Sequence, residues 1–434
     1  MVTWCVFPRI SRHRRPGRMA DMYRSTETTS CTPMTLPCFV PDGCSVKPGL
    51  GMQGPIMPGR RRFSMGLGAV ALGGFHLARA QAEGRIVLGQ SAPFTGPVAQ
   101  LGVQFNLGAQ LFFDQLNAQG GVGRRQVELR TMDDGYEPDR CAENTRKFIA
   151  DDVFALFGYI GTPTSLAALP LFTRDKLPFF GPFTGAEALR QPFNRLIFHV
   201  RASYYDETAL IVRHLTHLGM DKIAVLYQND AYGKTGLDGV TKALADHKLV
   251  PVATATVERN STDVAAAVDK LVPGMPHAVV QVTTYAPAAA FVRAARKAGF
   301  GGTFHNVSFV GAQALADELG SDAAGVTVSQ VVHSPYQASR QITREFLDAI
   351  KKGGNKVQAN YSSAEGYLAA RVLTEGLRQA QGSGKITREN FITGIETIGS
   401  HSIAGFAVSF SATDHVGSKF VEMSMLTGDG RMRT

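Results

Sequence analysis

Cysteine and tryptophan are scarce in this chain of 434 residues, which holds five cysteines and one tryptophan. Four of the cysteines precede residue 57, and none of them shows the C-x-x-C spacing of a metal site. Only Cys141 follows, inside a predicted helix, where a lone thiol is typical of an inert buried side chain. The cysteines therefore indicate neither a metal site nor a thiol nucleophile.

Motifs for catalysis are also missing. The sequence has no G-x-S-x-G elbow, no P-loop and no H-E-x-x-H helix. His214 and His217 lie three residues apart on a predicted helix, which we interpret as a partly solvated face, and Asp133 with Asp134 as a turn or hinge pair. We therefore predict no catalytic residue, no cofactor, no metal and no enzymatic activity.

The excess of positive charge is confined to one end of the chain. The formal net charge is +9, from 45 Lys/Arg and 36 Asp/Glu. Residues 1–80 hold 11 of the basic and 3 of the acidic side chains, which leaves 34 and 33, or +1, for residues 81–434. A neutral body offers no basic face, so a nucleic-acid partner is not expected.

An export signal is predicted at residues 57–80. Three arginines at 60–62 precede an apolar stretch at 65–77 and a small-residue site at 78–80. The apolar stretch is too short for a retained membrane-spanning helix. The arginines followed by Phe63 also fit the twin-arginine pattern, so ordinary and twin-arginine secretion both stay open.

Residues 1–56, upstream of this signal, are rich in proline, glycine, serine and threonine. We expect them to be a non-native or disordered extension, with Met57 as the true start. The mature protein is then exported to the periplasm of a bacterium. It is not expected to span the membrane itself or to carry a lipid anchor.

Apolar strands alternate with helical patterns from residue 84 onward, which predicts parallel sheets flanked by helices. Two such series predict an α/β fold with two doubly wound parallel-sheet lobes. The predicted strands are 85–90, 127–132, 153–160, 177–183 and 196–200 in the first series, and 222–230, 250–258, 277–284 and 325–332 in the second.

The stretch GTPTS, residues 161–165, follows one of these strands and begins a helix. Its hydroxyls and proline suit a helix N-terminus, either as simple caps or as an anion site. Ligands of parallel sheets bind beyond the carboxyl ends of the strands, and the loops there favour the anion site. Those loops carry the aromatic and hydroxyl side chains Phe94, Tyr136, Thr162, Phe183, Thr184, Tyr232 and Tyr285.

From about residue 84 to the end, the chain resembles the leucine/isoleucine/valine-binding family of periplasmic binding proteins, the type I solute receptors of ABC importers. The resemblance rests on the order of several motifs. These are SAPFTGPVAQLG (91–102), NAQGGVGRRQVEL (117–129), DDGYEPDRCAENTRKFI (133–149), GTPTS (161–165), PFTGAEALR (182–190), YGKTGLDGV (232–240) and FVRAARKAGF (291–300).

The resemblance implies two lobes joined by a three-strand hinge. Lobe 1 would comprise residues 84–201 plus about 333–404, and lobe 2 residues 203–331 plus about 406–434. The lobes would close on a small amphiphile, and ligands that contact both lobes would stabilise the closed state.

The same resemblance implies ligand-binding residues in the first lobe. The hydroxyl of the GTPTS position would bind a carboxylate, which places this role on Thr162, with Thr164 and Ser165 nearby. The following loop would add the backbone N–H of Phe183 and a hydroxyl. The family's threonine position falls on Gly185, and Thr184 is adjacent to it.

In the second lobe, the resemblance implies that Tyr232 covers the ligand and that Tyr285, or Thr284 beside it, does likewise. Phe94 and Phe183 would form an apolar wall suited to an aromatic or branched side chain. Some members carry a disulfide near the cleft, and the corresponding positions here are Tyr136 and Gly161.

Members that bind α-amino acids place an acid against the ligand ammonium, and Ser308 occupies that position here. Burial of an unpaired ammonium is costly. Either the ligand lacks an ammonium group or another acid, such as Asp206 or Asp230, serves.

We therefore expect a solute receptor that delivers a small carboxylate, foremost a branched-chain or related amino acid, to a membrane ABC permease. A keto acid or aromatic acid as the ligand, and a ligand-sensing regulatory protein of the same fold, are the alternatives. We expect the protein to be a monomer.

Overall fold

The computed structural model describes residues 84–354 and 356–434. The predicted extension at 1–56 and export signal at 57–80 lie outside these described residues, so both stay predictions. Strands and helices alternate along the described chain because apolar runs of strand length are separated by amphipathic segments.

The first lobe is built on five strands that pair in parallel. They are β1 (Arg85–Ala92), β2 (Gln126–Asp133), β3 (Ala155–Phe157), β4 (Phe179–Phe180) and β5 (Ile197–Phe198). Their order is β2-β1-β3-β4-β5. Most of β1 and all of β3 are buried, as expected for parallel strands covered by helices on both faces.

The helices between these strands are α1 (Ala99–Ala118), α2 (Pro138–Ala150) and α3 (Thr162–Arg174). Helix α1 buries Phe105 and Phe113, whose rings lie 5.9 and 5.6 Å from the ring of Phe157 in β3. These aromatic contacts fix α1 against the centre of the sheet.

The second lobe repeats the pattern. Its parallel strands are β6 (Ile223–Gln228), β7 (Ala253–Val257), β8 (Ala278–Val282), β9 (Thr303–Asn306) and β10 (Thr327–Gln330). Its helices are α4 (Tyr204–His217), α5 (Ala231–Asp246), α6 (Ala265–Leu271), α7 (Tyr285–Lys297) and α8 (Ala312–Leu319).

Strand β9 is absent from the sequence prediction because its TFHN sequence has no apolar run. Its polar side chains are nevertheless buried and hydrogen-bonded. The ring nitrogens of His305 lie 2.9 Å from Thr303 Oγ1 and 2.6 Å from Thr327 Oγ1. These partners offset the desolvation of the imidazole, so a polar segment can occupy the middle of a parallel sheet.

The chain then returns to the first lobe with α9 (Gln341–Lys352), α10 (Tyr361–Gly382), α11 (Arg388–Glu396) and the hairpin of β11 (Gly399–Ile403) and β12 (Phe406–Phe410). Helix α10 crosses α1 closely at two glycines. A Cβ on Gly108 would lie 1.8 Å from the Ser363 carbonyl oxygen, and one on Gly366 2.0 Å from that of Phe105.

The last strands, β13 (Glu422–Leu426) and β14 (Met432–Arg433), add antiparallel to the second sheet, whose order is β14-β13-β10-β9-β8-β6-β7. The α/β class with two parallel-sheet lobes is thus confirmed. Because β12 pairs with β11, the third connection between the lobes lies between Phe410 and Glu422.

Three connections therefore join the lobes, as predicted. The first follows β5, the second follows β10 and the third follows β12. The first and third run side by side, since His199 N–H donates to the His415 carbonyl at 2.9 Å and Gly417 N–H donates to the His199 carbonyl at 2.7 Å. These paired strands form the hinge.

Candidate functional site

The GTPTS stretch joins β3 to α3 at the carboxyl edge of the first sheet. Gly161 precedes the helix with a φ of 99°, which favours glycine, and Pro163 lies in the first turn. Within the described residues no side chain caps the first N–H groups of α3. The helix N-terminus therefore keeps its donors and its positive dipole end for an anion.

A pair of threonine hydroxyls lies at this N-terminus. Thr162 Oγ1 is 2.6 Å from Thr184 Oγ1, and both residues are fully buried. Thr184 Oγ1 also lies 3.3 Å from the hydroxyl of Tyr204 at the start of α4. The structure therefore brings Thr162 together with Thr184. Gly185 instead packs against the backbone of Tyr204. A Cβ added to Gly185 would be 2.6 Å from the Tyr204 nitrogen.

Thr164 and Ser165, the other two hydroxyl side chains predicted at this turn, differ in their hydrogen bonding. Thr164 Oγ1 donates to the carbonyl oxygens of Ile160 and Gly161, so its proton is used within its own helix turn. Ser165 Oγ is buried and has no hydrogen-bond partner among the described residues. Of these two side chains, Ser165 keeps its hydroxyl free for a ligand.

The predicted residues of the second lobe follow the carboxyl ends of β6, β8 and β9. Tyr232 is buried in the first turn of α5, and its hydroxyl donates to the Thr283 carbonyl at 3.3 Å. Thr284 precedes α7, Tyr285 is its first residue, and both are buried. Ser308 follows β9 and is buried close to the hinge.

Phe94 belongs to a loop that is held by the carboxylate of Asp133. Its N–H and that of Thr95 donate to Asp133 Oδ1 at 2.8 and 3.1 Å. Burial raises the pKa of Asp133, but the hydrogen bonds from Thr95, Phe94, Gly135 and Arg140 outweigh it and lower the pKa to about 2. Phe94 itself is half-buried against the core.

Tyr136 connects the two walls. Its ring lies against Gly161, where an added Cβ would be 2.3 Å from the ring, and its hydroxyl accepts a hydrogen bond from Gln228 Nε2 at 3.4 Å. The Tyr136 ring therefore packs on Gly161 of its own lobe while its hydroxyl reaches the second lobe.

Phe309, which the sequence analysis missed, fills the cleft from the second lobe. Its ring centroid lies 4.7 Å from Tyr232, 5.6 Å from Phe183 and 6.1 Å from Tyr136. At the rim, Glu137 of the first lobe accepts hydrogen bonds from Arg259 and Asn260 of the second at 2.9 and 2.8 Å. The two lobes are thus in contact across the cleft.

A buried group of charges lies at the hinge end of the cleft, and we call it the hinge charge cluster. Its members are Arg201, Glu207, Glu365, Ser308 and Ser329. The Arg201 guanidinium lies 4.7 Å from the centroid of the Phe183 ring, 3.5 Å from Glu207 and 3.6 Å from Glu365, and its Nη2 donates to Ser308.

The buried carboxylate of Glu207 is held by hydrogen bonds and a charge contact from the protein. Its oxygens accept hydrogen bonds from Ser308 N–H at 2.7 Å, Ser308 Oγ at 3.0 Å and Ser329 Oγ at 2.6 Å, in addition to the contact with Arg201. Three hydrogen bonds and one charge contact therefore compensate the burial of this carboxylate. The acid beside Ser308 is thus Glu207, which local sequence patterns do not distinguish from a solvated helix residue.

Asp206 and Asp230, the acids that the sequence suggested for this role, are used elsewhere. Asp206 forms a reciprocal capping box with Ser203 at the start of α4. Asp230 caps α5 by accepting from the N–H groups of Tyr232 and Gly233. Capping explains both residues fully, so neither carboxylate is free.

Glu365, from α10, has a different environment. Burial and the charge of Glu207 raise its pKa, Arg201 lowers it, and the net result is about 7. Glu207 has a raised pKa as well, chiefly through burial. The cluster thus holds one cation and two carboxyl groups, and this imbalance favours the protonated form of a carboxyl group.

A separate cavity of about 480 Å³ lies beside the first and third connections and is lined partly by Arg190, His199 and His415. None of its lining residues belongs to the loops 161–165, 228–234 or 283–287. This cavity therefore lies apart from the strand-end loops that carry the candidate residues.

Two parallel-sheet lobes, three connections and a cleft lined by both sheets define the fold of a type I periplasmic binding protein. Comparison with known proteins agrees: the family described as periplasmic binding protein matches residues 85–429. The chain belongs to that family.

Similar proteins are named as amino-acid-binding proteins. Leu/Ile/Val-binding protein homolog 7 of Brucella melitensis is 23% identical over 374 residues, which cover 82% of this chain and 92% of that protein. The leucine-, isoleucine-, valine-, threonine-, and alanine-binding protein of Pseudomonas aeruginosa is 23% identical over 323 residues, 74% and 85% of the two chains.

Among solved structures, a possible leucine/isoleucine/valine-binding protein from Rhodopirellula baltica SH 1 superposes with a TM-score of 0.77 and 32% sequence identity. The match covers 81% of this chain and 96% of that one. Within residues 84–354 and 356–434, no helix has the length and apolar character needed to cross a bilayer.

Proposed function

We propose that this protein is an exported receptor that closes its lobes around a small carboxylate and delivers it to an ABC permease. The observation that carries the proposal is the pair of hydroxyls of Thr162 and Thr184 at the N-terminus of α3. Hydroxyl donors, backbone N–H groups and a helix dipole together favour a carboxylate.

Closure is supported by the contacts between the lobes. Tyr136 and Glu137 of the first lobe contact Gln228, Arg259 and Phe309 of the second. A solute between these groups would stabilise the closed arrangement and bias the equilibrium toward it. Recognition of the closed form by a permease then follows as the delivery step.

The body of the solute is expected to be branched or aromatic. Phe183, Tyr232 and Phe309 pack their rings together where the two lobes meet. The names of the relatives point to the same class, since they include leucine, isoleucine and valine. Export to the periplasm is supported by the predicted signal at 57–80 and by the family.

A thermal-shift screen tests the carboxylate proposal. Leucine, valine, phenylalanine, the corresponding keto acids and the corresponding des-amino acids would be compared with the uncharged amide 4-methylpentanamide. A solute present at about 100 times its Kd should stabilise the protein by about 2.7 kcal/mol, which raises the melting temperature visibly. A shift with the amide alone, or with no member of the panel, would contradict the proposal.

Thr162→Val is expected to weaken binding of the best carboxylate from that screen by about 1.5–3 kcal/mol, or roughly ten- to a hundredfold in Kd. Valine keeps the shape of threonine but removes the hydroxyl that faces Thr184. Isothermal titration calorimetry measures the change. Thr374→Val is the matched control, because that buried hydroxyl donates to the Ala370 carbonyl within α10. Equal losses in both variants would remove Thr162 from the site.

A further inference from the structure

The amino edge of the second sheet carries most of the exposed large hydrophobic side chains in the described part of the chain. Seven such side chains are exposed within the described residues, and four of them precede β6, β7 and β8. These four are Leu218, Val250, Val252 and Met275, with exposed fractions of 59, 71, 50 and 78%. Apolar side chains that gather at one end of a lobe indicate a surface that contacts another molecule.

The loops that carry these four side chains lie next to one another. Strands β6, β7 and β8 are neighbours and parallel, so their amino ends share one edge of the sheet. Val252 N–H donates to the Ile223 carbonyl at 2.9 Å, and His277 N–H donates to the Lys222 carbonyl at 2.8 Å. We call the exposed residues of the four segments at this edge, 217–222, 246–252, 269–277 and 296–302, the amino-edge patch.

A cavity of about 850 Å³ lies at this patch, beside Met275. Of its 15 lining residues, 12 are apolar or glycine and three are polar. The apolar lining includes Met220, Val268, Val272 and Phe300. The amino-edge patch therefore combines projecting apolar side chains with a hollow whose walls suit a hydrocarbon chain.

Basic side chains outnumber acidic ones in the patch. Its four segments hold five basic and three acidic residues, which gives a formal charge of +2. They are Lys222, Lys248, Lys270, Arg296 and Lys297, against Asp221, Asp246 and Asp269. The four lysines are exposed, and none forms a salt bridge with a described residue; the lysines that do are Lys147, Lys242 and Lys351. The patch therefore presents ammonium groups to solvent beside its apolar side chains.

The corresponding edge of the first sheet differs. Its loops before β2, β3 and β4, at 119–125, 151–154 and 175–178, hold no exposed large hydrophobic side chain within the described residues. The loops of the candidate solute site lie at the carboxyl edges of the sheets instead. The patch is thus a feature of the second lobe that solute binding does not explain.

We propose that the amino-edge patch docks on the surface of a membrane that contains anionic lipid. Its four apolar side chains enter the boundary between headgroups and acyl chains, and its lysines pair with lipid phosphates. Binding of this kind grows with the apolar area buried and with the electrostatic attraction to anionic lipid.

The arrangement of the patch favours a lipid surface. Leu218, the two valines and Met275 come from three separate loops, and each of these loops also carries a lysine, at 222, 248 or 270. Each loop thus offers one contact for hydrocarbon and one for a headgroup phosphate. A fluid lipid surface can satisfy both at every loop without the fixed shape that a protein partner needs.

Oxidation of Met275 tests the docking on the full chain. Dilute hydrogen peroxide converts an exposed methionine to its sulfoxide, which mass spectrometry of the peptide that contains it measures. Vesicles of equal parts dimyristoyl phosphatidylglycerol and dimyristoyl phosphatidylcholine should slow this oxidation at least about fivefold, because the thioether leaves water. Vesicles of phosphatidylcholine alone should slow it less than about twofold. Met132, half-buried in β2 of the first lobe, is the internal control and should keep its rate.

Lys248→Glu together with Lys270→Glu should reduce the protection by anionic vesicles to less than about twofold, because two attractive charges become repulsive. Lys352→Glu together with Lys385→Glu is the matched control, since it changes the net charge equally at exposed positions of the first lobe. The control pair should keep the protection of Met275 at its original size. All four lysines are exposed, so both variants are expected to fold.

Each other outcome would overturn the proposal. Unchanged oxidation of Met275 with anionic vesicles would mean that the patch stays in water. Equal protection by both kinds of vesicle, or equal losses in the two lysine pairs, would show that the patch lysines do not recognise anionic lipid. Protection without vesicles that grows with protein concentration would assign the patch to a contact between two copies of this chain. None of these results bears on the solute site, which the thermal-shift screen tests separately.

Discussion

Glu207→Ala is expected to lower the free energy of unfolding by about 3–5 kcal/mol, the range for breaking a buried ion pair by removing one partner. The substitution removes the acceptor of Ser308 N–H, Ser308 Oγ and Ser329 Oγ, all buried, and the closest carboxylate to Arg201. Urea unfolding followed by circular dichroism measures the change at pH 7.

Glu318→Ala is the control, because Glu318 is an exposed residue of α8. Its effect should stay within about 0.5 kcal/mol. A loss below about 1 kcal/mol for Glu207→Ala would mean that water or Glu365 replaces the missing carboxylate, and the cluster would then not be a structural element of the hinge.

Glu365→Gln is expected to stabilise the solute-free protein at high pH, by up to about 3 kcal/mol above pH 8. The pKa of Glu365 is about 7 in the folded state, above its ordinary value of 4.5. The folded state therefore binds a proton that the unfolded state has lost, and stability falls as pH rises from about 4.5 through 7. Glutamine cannot ionise and escapes this loss.

The difference in stability between the variant and the unchanged protein isolates this effect. It should be small at pH 4.5, grow through pH 7 and level off above pH 8. His305, whose pKa is lowered to about 4 chiefly by burial, produces the opposite slope between about pH 4 and 6.5, but it is present in both proteins and cancels. A difference that does not change with pH would contradict the buried carboxyl group as its source.

Features that depend on neighbouring residues were predictable from the sequence, whereas features that depend on distant contacts were not. The strand before Gly161, predicted at 153–160 and observed at Ala155–Phe157, was predictable, as were the proline and the helix that follow, because apolar length, φ preference and capping act over a few residues. Strand β9 was not predictable, because its His305 can be buried only when Thr303 and Thr327 form hydrogen bonds with the imidazole.

The site shows the same division. The nearness of Thr162 to Thr184 follows from adjacent parallel strands, since Gly161 N–H donates to the Phe183 carbonyl at 3.2 Å. The pair lies at the two loops to which the family resemblance assigned the carboxylate, and its role in binding stays a prediction. Phe309 escaped prediction because an aromatic residue after a strand is indistinguishable from ordinary core until the opposite lobe is in place.

By itself, the sequence determined the α/β alternation, the two series of strands and the hydroxyl-rich turn after β3, because each depends on short-range patterns. Only the tertiary structure decided which charged side chains form the hinge charge cluster. Arg201, Glu207 and Glu365 come from the hinge, the second lobe and α10, and a charged residue in a helix is solvated unless the fold buries it. Desolvation and mutual proximity, which exist only after folding, give these three side chains their chemistry.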